Sequence, residues 1–308
     1  MTRFTNEQLR TFTLVVDEGT FEAAAEILGV SASAISQRIK TMETSAGRIL
    51  LQRTNPVRPT DSGEVVLRVA RQNEYLNAEL EQELGERSGQ GSITIAVNSD
   101  SLATWLLSAV GELSRCDKIF CDLRREGEQH SSALLRSGEV MAAITSHPEP
   151  INGCEVEELG QARYWCVASQ EFVDEHFKSW PHHITAEELN TAPVIEFDRK
   201  DHGQRSSRHL ILKAHNVEDN GGESPSIYIP SSPDYARAVE DGIGWGLVPE
   251  SQCRQGLESG TIISLAGEKP LEFPLYWQRW KISSRILDRV TERIYEAAQK
   301  YLEPKNNT

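Results

Sequence analysis

The residues best suited to touching nucleic acid fall together early in the chain: Ser31, Ser33, Ser36, Gln37, Arg38 and Lys40. Hydroxyl, amide and guanidinium groups can all bond base edges in a major groove. Arg53 and Arg58 follow, with Arg48 before them, where cations can hold phosphates on either side of a groove. A second group, Asn98-Ser99-Asp100-Ser101, sets hydroxyls beside one carboxylate. At a helix start, hydroxyls and backbone amides hold a ligand carboxylate well, and Asp100 offers the opposite charge to a ligand cation. Ser231-Ser232-Pro233 repeats the arrangement further on, and Glu126 and Glu128 are further carboxylates near expected strand ends. Taken alone, Ser99 or Ser101 is equally a routine helix cap, and each carboxylate equally a solvated one.

Other chemistries find little support. No nucleophile–base pair stands out, so an enzyme is not expected. His182-His183 has no partners at metal-ligand spacing. The glycines of Gly242-Ile243-Gly244-Trp245-Gly246 lack the spacing of a phosphate cradle and lead into a strand, not a helix. No metal and no cofactor are therefore expected.

The elements that must position the first group are short helices. Leu9, Phe12, Val15 and Val16 recur at helical spacing after Thr5, and Phe21, Ala24, Ala25 and Leu28 do so between Thr20 and Gly29. Val30 is expected to plug the turn that follows. Ser31 then caps a third helix to about Ser45, with Ile35, Ile39 and Met42 inward and Ser33, Ser36, Gln37, Arg38 and Lys40 outward. Residues 47–53 and 57–60 flank Asn55-Pro56 as a two-stranded wing would. The pattern is a winged helix-turn-helix. Beyond it, Val66, Val69, Leu76 and Leu80 form a stripe on a long polar helix, the pattern of a helix that pairs with its own copy. Asn73 occupies the same stripe, where it is expected either to set register or, equally, to stand solvated on a loosely packed helix.

The composition of 86–92 is that of a hinge. Past it, strands expected at 93–97, 140–145, 165–168 and 246–248 alternate with helices near 102–113 and 235–240, as in a twisted α/β fold. A length of 308 residues itself suggests two folded units and a connector. Net charge is -14, yet residues 1–60 carry seven basic against six acidic side chains, a balance of +1, and residues 31–60 carry five against one. Positive charge is thus concentrated where phosphate contact needs it. No apolar run approaches a membrane span and residues 1–6 lack a secretion signal's core, so a cytoplasmic protein with no membrane partner is expected. Five cysteines without ligand spacing read as reduced, small apolar residues.

At Phe21-Glu22-Ala23-Ala24-Ala25, Ser33-Ala34-Ile35-Ser36-Gln37-Arg38-Ile39-Lys40 and Arg58-Pro59-Thr60-Asp61-Ser62-Gly63, the sequence resembles the N-terminal signature of LysR-type regulators. Residues 96–105 and Leu275-Tyr276-Trp277-Gln278-Arg279-Trp280 resemble the ArgP/LysG subfamily, so the likeness covers nearly the whole chain. It implies a DNA-binding domain at 1–60, a dimerising linker helix at 61–88, and an effector domain at 89–308. That domain would hold two α/β subdomains like those of periplasmic binding proteins, at about 92–163 plus 268–308 and at about 164–267.

The resemblance also implies partners: promoter DNA, RNA polymerase, a small co-inducer, and further copies in a homodimer or homotetramer. Members of this subfamily activate genes for export of basic amino acids and answer to lysine, arginine or histidine. Asn98, Ser99, Asp100 and Ser101 would then touch the effector, with Glu126, Thr145 and Ser232 beside them. Residues 198–222 match the subfamily least, so a neutral or anionic effector stays open. So does an effector-free architectural binder of AT-rich DNA, while an enzyme with an accessory DNA domain lacks a catalytic constellation.

Overall fold

The computed structural model describes residues 4–84, 91–199 and 203–304. By contacts it forms two compact units, one of Met1–Val97, Glu112–Glu157 and Trp277–Glu292, the other of Asn98–Gly111, Glu158–Tyr276 and Arg293–Thr308. Of the expected hinge, residues 86–90 lie outside the described residues, and Gly91 and Ser92 already belong to a strand.

In the first unit three helices come first, α1 (Asn6–Asp17), α2 (Phe21–Leu28) and α3 (Ala32–Ala46). Their starts follow local chemistry. Thr5 and Gln8 close a reciprocal capping box, and the hydroxyls of Thr20 and Ser31 accept the amides of Ala23 and Ala34. Gly29 ends α2 at φ +64°, a left-handed position that glycine takes without a Cβ clash. Phe12, Val15, Ala24, Ile35, Ile39 and Met42 are buried together with Leu50, Leu51 and Val57 of the wing. Each large apolar side chain so buried contributes about 1.5–3 kcal/mol.

The wing strands β1 (Leu51–Gln52) and β2 (Arg58–Pro59) pair antiparallel. Glu43 of α3 pins their entry by accepting the amides of Leu50 at 2.9 Å and Leu51 at 3.3 Å. Val30, expected inside the turn, is 39% exposed. The turn closes instead through backbone bonds from Gly29 and Val30 to the end of α2.

Helix α4 (Asp61–Glu83) begins where Gly63 passes so close to the Leu50 carbonyl that a Cβ would stand 2.0 Å from its oxygen. Leu67 and Ala70 are buried, and Val66 packs on the core of α1–α3. The outward stripe is therefore Val65, Val69, Leu80 and Leu84, all exposed, with Leu76 half-buried. Val66 is off it, because a helical period of 3.6 turns that position toward the core. Asn73 is off it too, since its amide donates to Asn6 at 3.0 Å. Elsewhere on α4, Arg71 bonds the Ser137 carbonyl and ion-pairs with Asp17, while Tyr75 and Glu79 bond Ser284 and the Ile286 amide.

The same unit holds a parallel set in which β3 (Gly91–Val97) lies between β4 (Ile119–Arg125) and β5 (Ala142–Thr145). Ile93, Ile95, Ala96 and Val97 are buried, a near-continuous apolar run broken only by Thr94, as suits an inner parallel strand. Two long strands, β6 (Cys154–Ser169) and later β11 (Leu271–Trp280), carry the chain out of this unit and back.

In the second unit β6 pairs antiparallel with β9 (Gly246–Pro249) and β10 (Ile262–Ser264). A small parallel pair, β7 (Val194–Glu196) and β8 (Ser226–Tyr228), lies in the same unit. Tyr235, buried, stitches β7 to β9 by donating to the Ile195 carbonyl at 2.7 Å and accepting the Leu247 amide at 3.0 Å. No helix among the described residues is long and apolar enough to cross a membrane.

Candidate functional site

The outer face of α3 carries Ser33, Gln37 and Lys40 exposed, with Ser36 half-buried. Ser31 caps the helix and its hydroxyl lies 2.9 Å from that of Ser33. Arg38 differs. Its Nη1 donates to Thr11 Oγ1 at 2.7 Å and its Nη2 to Glu7 Oε1 at 2.6 Å, so the guanidinium is engaged with α1 and its side chain is only 22% exposed. Arg53 and Arg58 stand exposed on the wing, and the Arg53 guanidinium lies 5.9 Å from the centre of the Phe21 ring. Val30 and Ile49 are exposed as well. Helix and wing of this kind fit a major groove and its phosphates.

The second group sits at strand ends. In the first unit, β3, β4 and β5 run parallel, so their carboxyl ends share one edge, the edge at which open α/β sheets present ligand groups. Glu126 follows β4 there, its amide bonded to the Val97 carbonyl at 3.1 Å. Thr145 ends β5 and is buried, donating its proton to the His147 carbonyl and accepting from Gln278 Nε2. One lone pair is left, an acceptor for an N–H group. Gln278, itself 1% exposed, fixes this corner by donating to the carbonyls of His147 and Glu149 and accepting the Ile151 amide.

After β3 the chain turns into a helix whose first part, residues 99–111, belongs to the second unit; it is regular at Ser99–Ser101 and wider-coiled at Leu102–Leu106. Asn98 Oδ1 caps it by accepting the Ser101 amide at 2.7 Å. The Ser101 hydroxyl is buried with no hydrogen-bond partner. An unpaired buried hydroxyl is costly unless something else meets it. Beside it, Asp100 Oδ2 accepts the Tyr164 hydroxyl at 2.8 Å. Ser232, at the start of helix Ser232–Glu240, is buried and donates to Gln252 Oε1 at 3.2 Å. What it keeps for a ligand is lone pairs. The structure thus joins Asn98 to Ser101 and Asp100 to Tyr164. Thr145 and Ser232 are met instead by Gln278 and Gln252.

Sequence reasoning missed Tyr164, Gln278 and Gln252 as neighbours of these residues. Tyr164 stands immediately before an expected strand, and Gln278 lies inside Leu275–Trp280, so both had a positional signal. Gln252 had none. Burial pushes the thiols of Cys166 and Cys253 up to about 12, far from a reactive thiolate.

Comparison with known proteins adds three findings. Residues 6–64 match the family described as bacterial regulatory helix-turn-helix protein, lysR family, and residues 86–297 match the LysR substrate binding domain. The lysine export transcriptional regulatory protein LysG of Corynebacterium glutamicum is 38% identical over 299 residues, covering 96% of this chain and 99% of that one. The HTH-type transcriptional regulator ArgP of Pseudomonas fluorescens is 35% identical over 304 residues, 98% of each chain. Among solved structures, full-length LysG of C. glutamicum with bound effector arginine is similar with a TM-score of 0.84 at 36% identity, covering 98% of this chain and all of that one. ArgP of Mycobacterium tuberculosis is similar with a TM-score of 0.85 at 36% identity, covering 97% and 98%.

Proposed function

This chain belongs to the LysR family of bacterial transcription regulators, and from that premise we propose that it is the activator of an amino-acid exporter gene, switched by a basic amino acid. Membership makes it a DNA-binding regulator and not an enzyme. The observation that carries the effector reading is the pair Asp100 and Ser101: a carboxylate oriented by a tyrosine, next to a buried hydroxyl with its proton uncommitted. A basic amino acid has the matching ends. Its cation meets Asp100, and its carboxylate meets Ser101 and the first amides of the helix, which carry partial positive charge. Asn98 and Ser99 shape that turn. Glu126, Thr145 and Ser232 offer acceptors, which suit further N–H groups of such a ligand.

On the DNA side, Ser31, Ser33, Ser36 and Gln37 read promoter bases while Lys40, Arg53 and Arg58 hold phosphates. Arg38 braces α3 against α1. The division at 1–60, 61–88 and 89–308, with the second subdomain at about 164–267, is retained as the working one. Val65, Val69 and Leu80 on α4, with Leu84 just past its end, pair with the same stripe of a second copy, in a cytoplasmic homodimer or tetramer that acts on RNA polymerase. Leu80→Glu should lower the mass seen by light scattering; an unchanged mass removes α4 from the interface.

A thermal-shift series on the full chain tests the effector. Arginine, lysine and histidine should each raise the melting temperature, with stabilisation of about 2.7 kcal/mol at a hundredfold excess over Kd. Stabilisation by norleucine or glutamate, with none by the basic amino acids, assigns a neutral or anionic effector instead.

A further inference from the structure

We propose that Tyr164 is a positioning residue that makes the ligand site prefer a cation, by fixing the Asp100 carboxylate through a hydrogen bond; this rests on the effector reading above. Three observations converge. Tyr164 Oη donates to Asp100 Oδ2 at 2.8 Å, a well-formed hydroxyl–oxygen hydrogen bond. Its ring is held edge-on against Phe273 of β11, with centroids 5.5 Å apart and planes at 84°, so the hydroxyl has a defined place. From the other side, the turn carrying Asp100 is fixed by the Asn98 cap and by Thr104, whose hydroxyl donates to the Asp100 carbonyl at 2.6 Å.

The alternation of β6 supplies the selectivity argument. Successive residues of a strand point to opposite faces. Arg163, one residue earlier, reaches Glu250 and Glu303, each at 3.2 Å, while Tyr164 reaches Asp100. A guanidinium in the place of Tyr164 would neutralise Asp100. A hydroxyl orders the carboxylate without bringing an opposing charge of its own. Tyr164 therefore governs charge preference and not ligand shape.

Calorimetry on the full chain tests this with arginine and its uncharged isostere citrulline, in the parent, Tyr164→Phe, Asp100→Asn and the double variant. Loss of a hydrogen bond to a charged group should weaken arginine about tenfold in Tyr164→Phe, with citrulline changed less than about twofold. In the Asp100→Asn background, adding Tyr164→Phe should change nothing further, because the two act as a unit. Equal losses for arginine and citrulline mean a role in shape only and overturn the proposal. Full arginine affinity in Tyr164→Phe, or a loss that persists without Asp100, overturns it too. If Asp100→Asn alone keeps the parent's arginine affinity, or the parent binds no basic amino acid, the effector reading fails first and takes this inference with it.

Discussion

The DNA-binding segment and the ligand-binding region build their sites by opposite means. On α3 every candidate contact lies within ten residues of Ser31, and one helical period sorts Ile35, Ile39 and Met42 inward from Ser33 and Gln37 outward. The candidate ligand groups come from strand ends and helix starts far apart in sequence, and Asp100, Thr145 and Ser232 are each met by a residue from elsewhere in the chain. A local site is legible by periodicity, and its weak point is the small core beneath it. A dispersed site depends on its braces.

That contrast predicts separable failures. The largest effect should come from Phe12→Ala, which empties the centre of the α1–α3 core and costs about 3–5 kcal/mol. DNA binding should be lost in a gel shift while calorimetric binding of arginine survives; joint loss means the two regions are not separable. Next, Asp100→Asn should cost about 2–5 kcal/mol in arginine binding, with unliganded operator affinity unchanged. Gln37→Ala should cost roughly 1–3 kcal/mol on operator DNA and spare nonspecific DNA. Smallest is Arg38→Ala, which removes a half-exposed ion pair and one hydroxyl bond. It should lower stability by about 1 kcal/mol and weaken specific and nonspecific DNA alike. A loss confined to operator DNA would return Arg38 to base reading.

Much of the fold was legible because local chemistry decides it. Thr5, Thr20, Ser31 and Gly29 mark the ends of three helices by capping alone. The stripe on α4 was misassigned at Val66 because a heptad count cannot say which apolar row the rest of the chain covers. Arg38 looked free on α3 because its partners, Glu7 and Thr11, lie some thirty residues away. β4 escaped notice since Asp122, Arg124 and Arg125 break its apolar run, although pairing with β3 makes it a strand. In the ligand region, Asn98–Ser101 was readable as a helix start. The roles of Tyr164, Gln278 and Gln252 arise only when distant strands and helices meet, and no spacing announces them.

The central claim is that one molecule reads DNA and a basic amino acid together, and footprinting on the promoter of its exporter gene tests it most directly. With the full chain bound, arginine or lysine should change the extent of the protected region or create new cleavage sites at its centre, while norleucine leaves the footprint as it was. An identical footprint with and without every amino acid would contradict the account and favour an architectural binder that needs no effector.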